Sequence, residues 1–111
     1  RARERGVALG EVAAGHRRNP DGTRVSWRVS DPYAMPLDGA LPFVIAWGDT
    51  PHPSIAAPRA GTLSGLEIEH PDPAAVETAL GVLGVALPVA CGERFRLKAT
   101  IRTRAGIVEL R

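Results

Sequence analysis

Leu63-Ser-Gly-Leu-Glu-Ile-Glu-His-Pro-Asp-Pro-Ala-Ala-Val-Glu-Thr-Ala-Leu-Gly-Val-Leu-Gly84 changes its period halfway along. Up to Glu69 the pattern has period two, with Leu66 and Ile68 opposed to Glu67 and Glu69. That is the alternation of a half-buried strand. Beyond Pro71 the period becomes helical: Val76, Ala79, Leu80 and Leu83 form one apolar stripe. Asp72 stands at the N-cap and Pro73 at the first helical position, where its missing N–H costs nothing. Gly84 closes the helix. His70, two residues before the helix, shares parity with Ile68 and reads as a core or capping histidine.

Downstream, Val85 to Ala90 reads as a short strand, placed at an edge by Pro88. Arg94 to Arg102 alternates strictly, with Phe95, Leu97, Ala99 and Ile101 on one face. Arg104-Ala-Gly106 turns the chain, and Ile107 to Leu110 forms the last strand. Residues 62–111 therefore read as a complete βαβββ unit.

Upstream, residues 1–61 read as part of a second such unit: the end of a helix, three strands and a connector, in one domain with the first. Arg1 to Arg5 with Gly6 resembles a helix tail and its cap, the alternative being a frayed basic terminus. Val7 to Gly15 reads as a weak strand, and Asn19-Pro-Asp-Gly22 as a tight turn. In Thr23 to Ser30, Val25, Trp27 and Val29 face one way and Arg24, Ser26 and Arg28 the other. Leu41 to Trp47 is apolar on both parities, the pattern of a central strand covered on both faces. Thr50 to Gly61, with three prolines, reads as an extended connector. Trp27 and Trp47 are expected in the core, with a wall of a ligand cup as the other reading for Trp47.

Composition narrows the class. With 44% hydrophobic and 23% charged residues, the 111-residue chain is that of a soluble globular domain. A net charge of +2 is too small to argue for nucleic acid. No apolar run approaches the roughly 20 residues of a membrane span. The one cysteine, Cys91, forms no internal disulfide, so a reducing compartment such as the cytoplasm is expected.

Four segments carry a family resemblance: Pro20 to Val29, Leu41-Pro-Phe-Val-Ile-Ala-Trp-Gly-Asp-Thr-Pro-His-Pro53, Leu66 to Pro73 and Gly106 to Arg111. They resemble the glyoxalase-like domain proteins of the vicinal oxygen chelate (glyoxalase/bleomycin resistance/dioxygenase) superfamily, with this chain as a C-terminal portion. The resemblance implies an α+β fold in which a curved mixed sheet of βαβββ units cups a ligand. It implies no single activity, since the superfamily includes isomerases, lyases, oxygenases and resistance proteins. It also implies a metal held by a His or Gln early in a unit's first strand and a Glu in its last. Glu109 is similar to that Glu, but the other positions fall near Gly65 and Ala46, which offer no ligand. No metal or cofactor is therefore expected within this chain. A divalent metal would be recruited mainly from a missing N-terminal unit.

The polar strand faces supply the candidate site. Arg24, Arg28, Glu69, Arg96 and Lys98, with Trp47, Asp49 and His52 from the central segment, are expected to bind a small polar or anionic molecule in the cup. Glu67 and Glu109 are the candidate catalytic carboxylates. The bland reading of these faces is a solvated sheet with cross-strand Arg–Glu pairs. Three functions follow: a lyase, isomerase or oxygenase that stabilises an oxyanion; a non-catalytic binding or sequestering protein; or a structural half that pairs its sheet in a homodimer. No nucleic-acid or membrane partner is expected.

Overall fold

The computed structural model describes residues 3–111. Its strands are β1 (Val12–Arg18), β2 (Arg24–Ser30), β3 (Ile45–Ala46), β4 (Thr62–His70), β5 (Val89–Cys91), β6 (Arg96–Thr103) and β7 (Gly106–Leu110). One helix, α1 (Pro73–Val82), follows β4. The strands form two sheets, ordered β1-β2-β3 and β5-β4-β6-β7. The fold is α+β, and β4-α1-β5-β6-β7 has the βαβββ order. Arg1 and Ala2, the start of the expected helix tail, lie outside the described residues. Arg3–Arg5 forms one 3-10 turn, and Gly6 follows at φ +82°.

Local chemistry accounts for the elements. Asp72 caps α1 by accepting the Ala75 N–H at 3.2 Å. Gly84 leaves the helix at φ +81°, a conformation that costs glycine nothing. At the β1–β2 turn, Asp21 accepts both the backbone N–H and the hydroxyl of Thr23. Those bonds, the hydroxyl's first, lower the Asp21 pKa.

Core packing joins the two halves. Val76 is completely buried, and around it pack Ile68, Ala79, Leu80 and Val89. The first half contributes Val7, Ala40 and Leu41 to the same cluster. The loop that delivers Ala40 and Leu41 is strained: Met35, Leu37 and Asp38 have φ of 44°, 53° and 59°. Left-handed backbone costs non-glycine residues on the order of 1 kcal/mol each. Leu37 packing against the core offsets part of that cost. So does Asp38, whose carboxylate accepts a 3.1 Å hydrogen bond from Nε2 of the buried His70. His70 Nδ1 accepts the Asp72 N–H at 2.9 Å, so the ring's proton sits on Nε2.

Several sequence expectations are corrected. The segment 41–47 is not a central strand. Only Ile45–Ala46 pairs, at the edge of the first sheet, while Phe43, Val44 and Ile45 stay exposed. Pro42 has no N–H to give a ladder, β3 has a neighbour on one side only, and of this segment Leu41 alone turns into the core. The first strand begins at Val12 rather than Val7, because Val7 is buried in the shared core. Trp27 and Trp47 are half-buried and outside the core cluster. The strand expected over Val85 to Ala90 is shorter and later, β5, at the sheet edge as Pro88 requires. In β4 a bulge between Leu63 and Gly65 breaks the alternation, leaving Leu63 exposed.

Candidate functional site

The second sheet builds a charged face. Ile68 and His70 of β4 point to the α1 side and are buried. Glu67 and Glu69 alternate with them and point away. In the antiparallel register Glu67 lies opposite Lys98, Glu69 opposite Arg96, and Thr100 opposite both Gly65 and Glu109. Residues directly opposite share a face. Glu67, Glu69, Arg96, Lys98, Thr100 and Glu109 are therefore gathered on the side of the sheet away from the helix.

Two contacts of Lys98 organise that face. Its Nζ lies 3.3 Å from a Glu67 carboxylate oxygen and 3.4 Å from one of Glu109. The other Glu109 oxygen accepts from Arg111 at 3.0 Å. Hydrogen bonding to Glu67 and then Glu109 holds the Lys98 pKa above 10.5. The Arg111 hydrogen bond, then that of Lys98, holds Glu109 below 4.5. The sign of each linkage follows. The Lys98 contribution to stability is present below pH 10.5 and lost as pH rises through its folded value. The Glu109 contribution is present above pH 4.5 and lost as pH falls through its folded value. In a carboxyl-detected NMR titration Glu109 is expected to have its midpoint below 4.5, and Arg111→Ala should raise it. An unchanged midpoint in that variant would contradict the pairing.

A cleft of about 1010 Å³ lies over this part of the sheet, lined by Glu67, Glu69, Arg94, Arg96, Lys98 and Arg111. Among the described residues Arg94 and Arg96 form no ion pair, although Arg96 stands in register with Glu69. Glu69 instead packs beside Gly92, where a Cβ would come within 3.1 Å of its carboxylate. Arg94 and Arg111 are absent from the candidate set read from the sequence. The signal for them was the same parity: Arg94 alternates with Arg96 and Lys98, and Arg111 with Glu109.

The remaining candidates sit elsewhere. Arg24 and Arg28 belong to the first sheet, whose strands share no ladder with the second. They therefore lie on a different sheet from Glu67, Glu69, Arg96 and Lys98. Arg24 lines a separate hollow of about 380 Å³ with His16, Arg17 and Arg18. Trp47 meets Trp27 edge-on, with ring centroids 5.9 Å apart, and meets His52 at 5.5 Å. Trp27 lies against the backbone of Gly15, where a Cβ would stand 2.5 Å from the indole. Ser54 fixes His52: its N–H donates to His52 Nδ1 at 3.1 Å, capping a 3-10 turn.

Over residues 1–84 the chain matches the glyoxalase-like domain family. The chain belongs to that family. Neither a curated protein nor a solved structure gives a significant match. The matched span of this glyoxalase-like domain includes β1 to β4 and α1, so Glu67 and Glu69 fall inside it and Lys98 and Glu109 beyond it. No helix among the described residues is long and apolar enough to cross a membrane.

The donors present do not fit the superfamily's metal. Glu109 already accepts from two cations, Lys98 and Arg111. Gly65 occupies the opening-strand position in the same cross-strand row and supplies no donor. Ala46 lies in the other sheet. Among the described residues no three His, Cys, Asp or Glu side chains are grouped to hold an ion.

Proposed function

We propose that this glyoxalase-like domain binds a small anionic molecule, a carboxylate or phosphate ester, in the cleft over β4, β5 and β6. The observation that carries the reading is that Arg94 and Arg96, beside Lys98 in one cleft, have no ion-pair partner among the described residues. A guanidinium fork suits two-pronged recognition of carboxylate or phosphate. Lys98 is already shared by two carboxylates, so it orders the floor while the arginines take the ligand.

Binding without catalysis is favoured over proton transfer by the same geometry. A general acid or base works best with its pKa near the working pH. Lys98 is shifted upward and Glu109 downward, each away from neutrality. Glu109, with two cations on it, is a poor base for abstracting a proton.

The reading is tested by calorimetric titration with inorganic phosphate and with a small dicarboxylate. Arg96→Ala is expected to weaken binding roughly tenfold or more, in line with a lost charge-assisted hydrogen bond. Its melting temperature should stay unchanged, because Arg96 is exposed. Equal affinity in wild type and Arg96→Ala would reject the assignment.

A further inference from the structure

One carboxylate in the basic cleft has no partner among the described residues. Glu69 stands in the middle of a cross-strand row, with Ala90 of β5 on one side and Arg96 of β6 on the other. Ala90 has nothing to pair with a carboxylate. Arg96 does, and side chains directly opposite in an antiparallel pair have Cβ atoms only about 4.5–5.5 Å apart. Yet Glu69 and Arg96 form no ion pair, and no described residue donates a hydrogen bond to the Glu69 carboxylate. Glu69 leans instead over Gly92, where a Cβ would stand 3.1 Å from its Cβ and from its Oε2. The bare glycine makes the room for that position.

The other charges are matched. Lys98 is shared by Glu67 and Glu109, and Arg111 donates to Glu109. Setting those aside leaves the guanidinium groups of Arg94 and Arg96 and the carboxylate of Glu69, all lining one cleft. A purely anionic ligand would satisfy the arginines and meet repulsion from Glu69. A ligand that carries an ammonium group beside its carboxylates would satisfy all three.

We propose that the cleft takes an amino dicarboxylate of the aspartate type, with its carboxylates on Arg94 and Arg96 and its ammonium group on Glu69. The inference rests on the anion-binding reading above and narrows its ligand class. An α-ammonium and an α-carboxylate share one carbon, a spacing that suits two side chains opposed in one row of a sheet. The ammonium donates to Glu69, and the guanidinium forks donate to the carboxylates, so each charge meets its opposite. Glu69 is then the residue that discriminates. A dicarboxylate without the amino group leaves it unpaired beside the ligand's negative charge, which selects against such ligands.

Calorimetric titration with L-aspartate and with succinate, the same dicarboxylate chain without the amino group, tests it. Wild type is expected to bind L-aspartate roughly tenfold or more tightly than succinate, the difference made by one charge-assisted hydrogen bond. Glu69→Ala should erase that preference without weakening succinate. Arg96→Ala should weaken both ligands. Glu69 and Arg96 are exposed, so both variants should keep the wild-type far-ultraviolet circular dichroism. Succinate bound as tightly as L-aspartate by wild type, or a preference that survives Glu69→Ala, would overturn the proposal. In either case, weaker succinate binding by Arg96→Ala would leave the anion-binding reading standing without it. Binding of neither ligand would reject both.

Discussion

Replacing His70 with Ala is expected to destabilise the chain by about 3 kcal/mol, combining a buried cavity with an unpaired N–H. His70 is only 4% exposed and joins three elements. Its Nδ1 takes the Asp72 N–H beside the helix cap, and its Nε2 reaches Asp38 across the two halves. Removing the ring deprives Asp38, in the strained loop, of its hydrogen-bond donor and leaves the Asp72 amide without its acceptor. Asp38→Asn is the contrasting variant. It retains an acceptor oxygen and tolerance of left-handed backbone, and the Asp38 side chain is 73% exposed. Its expected cost is below about 1 kcal/mol. Urea unfolding measures both. Equal losses in the two variants would mean that the Asp38 hydrogen bond, rather than the buried imidazole, holds the halves together.

Leu80→Ala is expected to cost about 3–4 kcal/mol, within the usual range for a buried leucine. Leu80 is almost fully buried and packs in the cluster that holds Val76 and Ile68. The core is small, and a domain of this length has only about 5–15 kcal/mol of stability in all. A melting temperature lowered by roughly 12 °C or more is the calorimetric readout. Val82→Ala is the control, because Val82 packs only at the margin of the cluster. If both variants melted alike, the core would not be centred where the structure puts it.

Much of this was legible in the sequence, and the rest was not, for identifiable reasons. The helix and its cap are local: Asp72, Pro73 and Gly84 act through neighbours within four residues, so their spacing was enough. The common face of Glu67, Lys98 and Glu109 followed from strand parity alone. The partition into two sheets was not readable, because it depends on which strands pair. That is why Arg24 and Arg28 were grouped with residues of another sheet. The segment 41–47 misled because apolar residues on both parities signal burial only when both neighbours and both layers exist. Here β3 has one neighbour. The β4 bulge shifted Leu63 by one position, which alternation does not reveal. The tie between His70 and Asp38 spans 32 residues and leaves no local pattern.

The measurement that bears most directly on the account is an NMR titration of the 15N-labelled chain with inorganic phosphate, following the arginine Nε–Hε signals. The account predicts saturable shifts at Arg94 and Arg96, with loss of the Arg94 response in Arg96→Ala. Shifts confined to Arg17, Arg18 and Arg24 at the hairpin end, or no saturable shift anywhere, would contradict it.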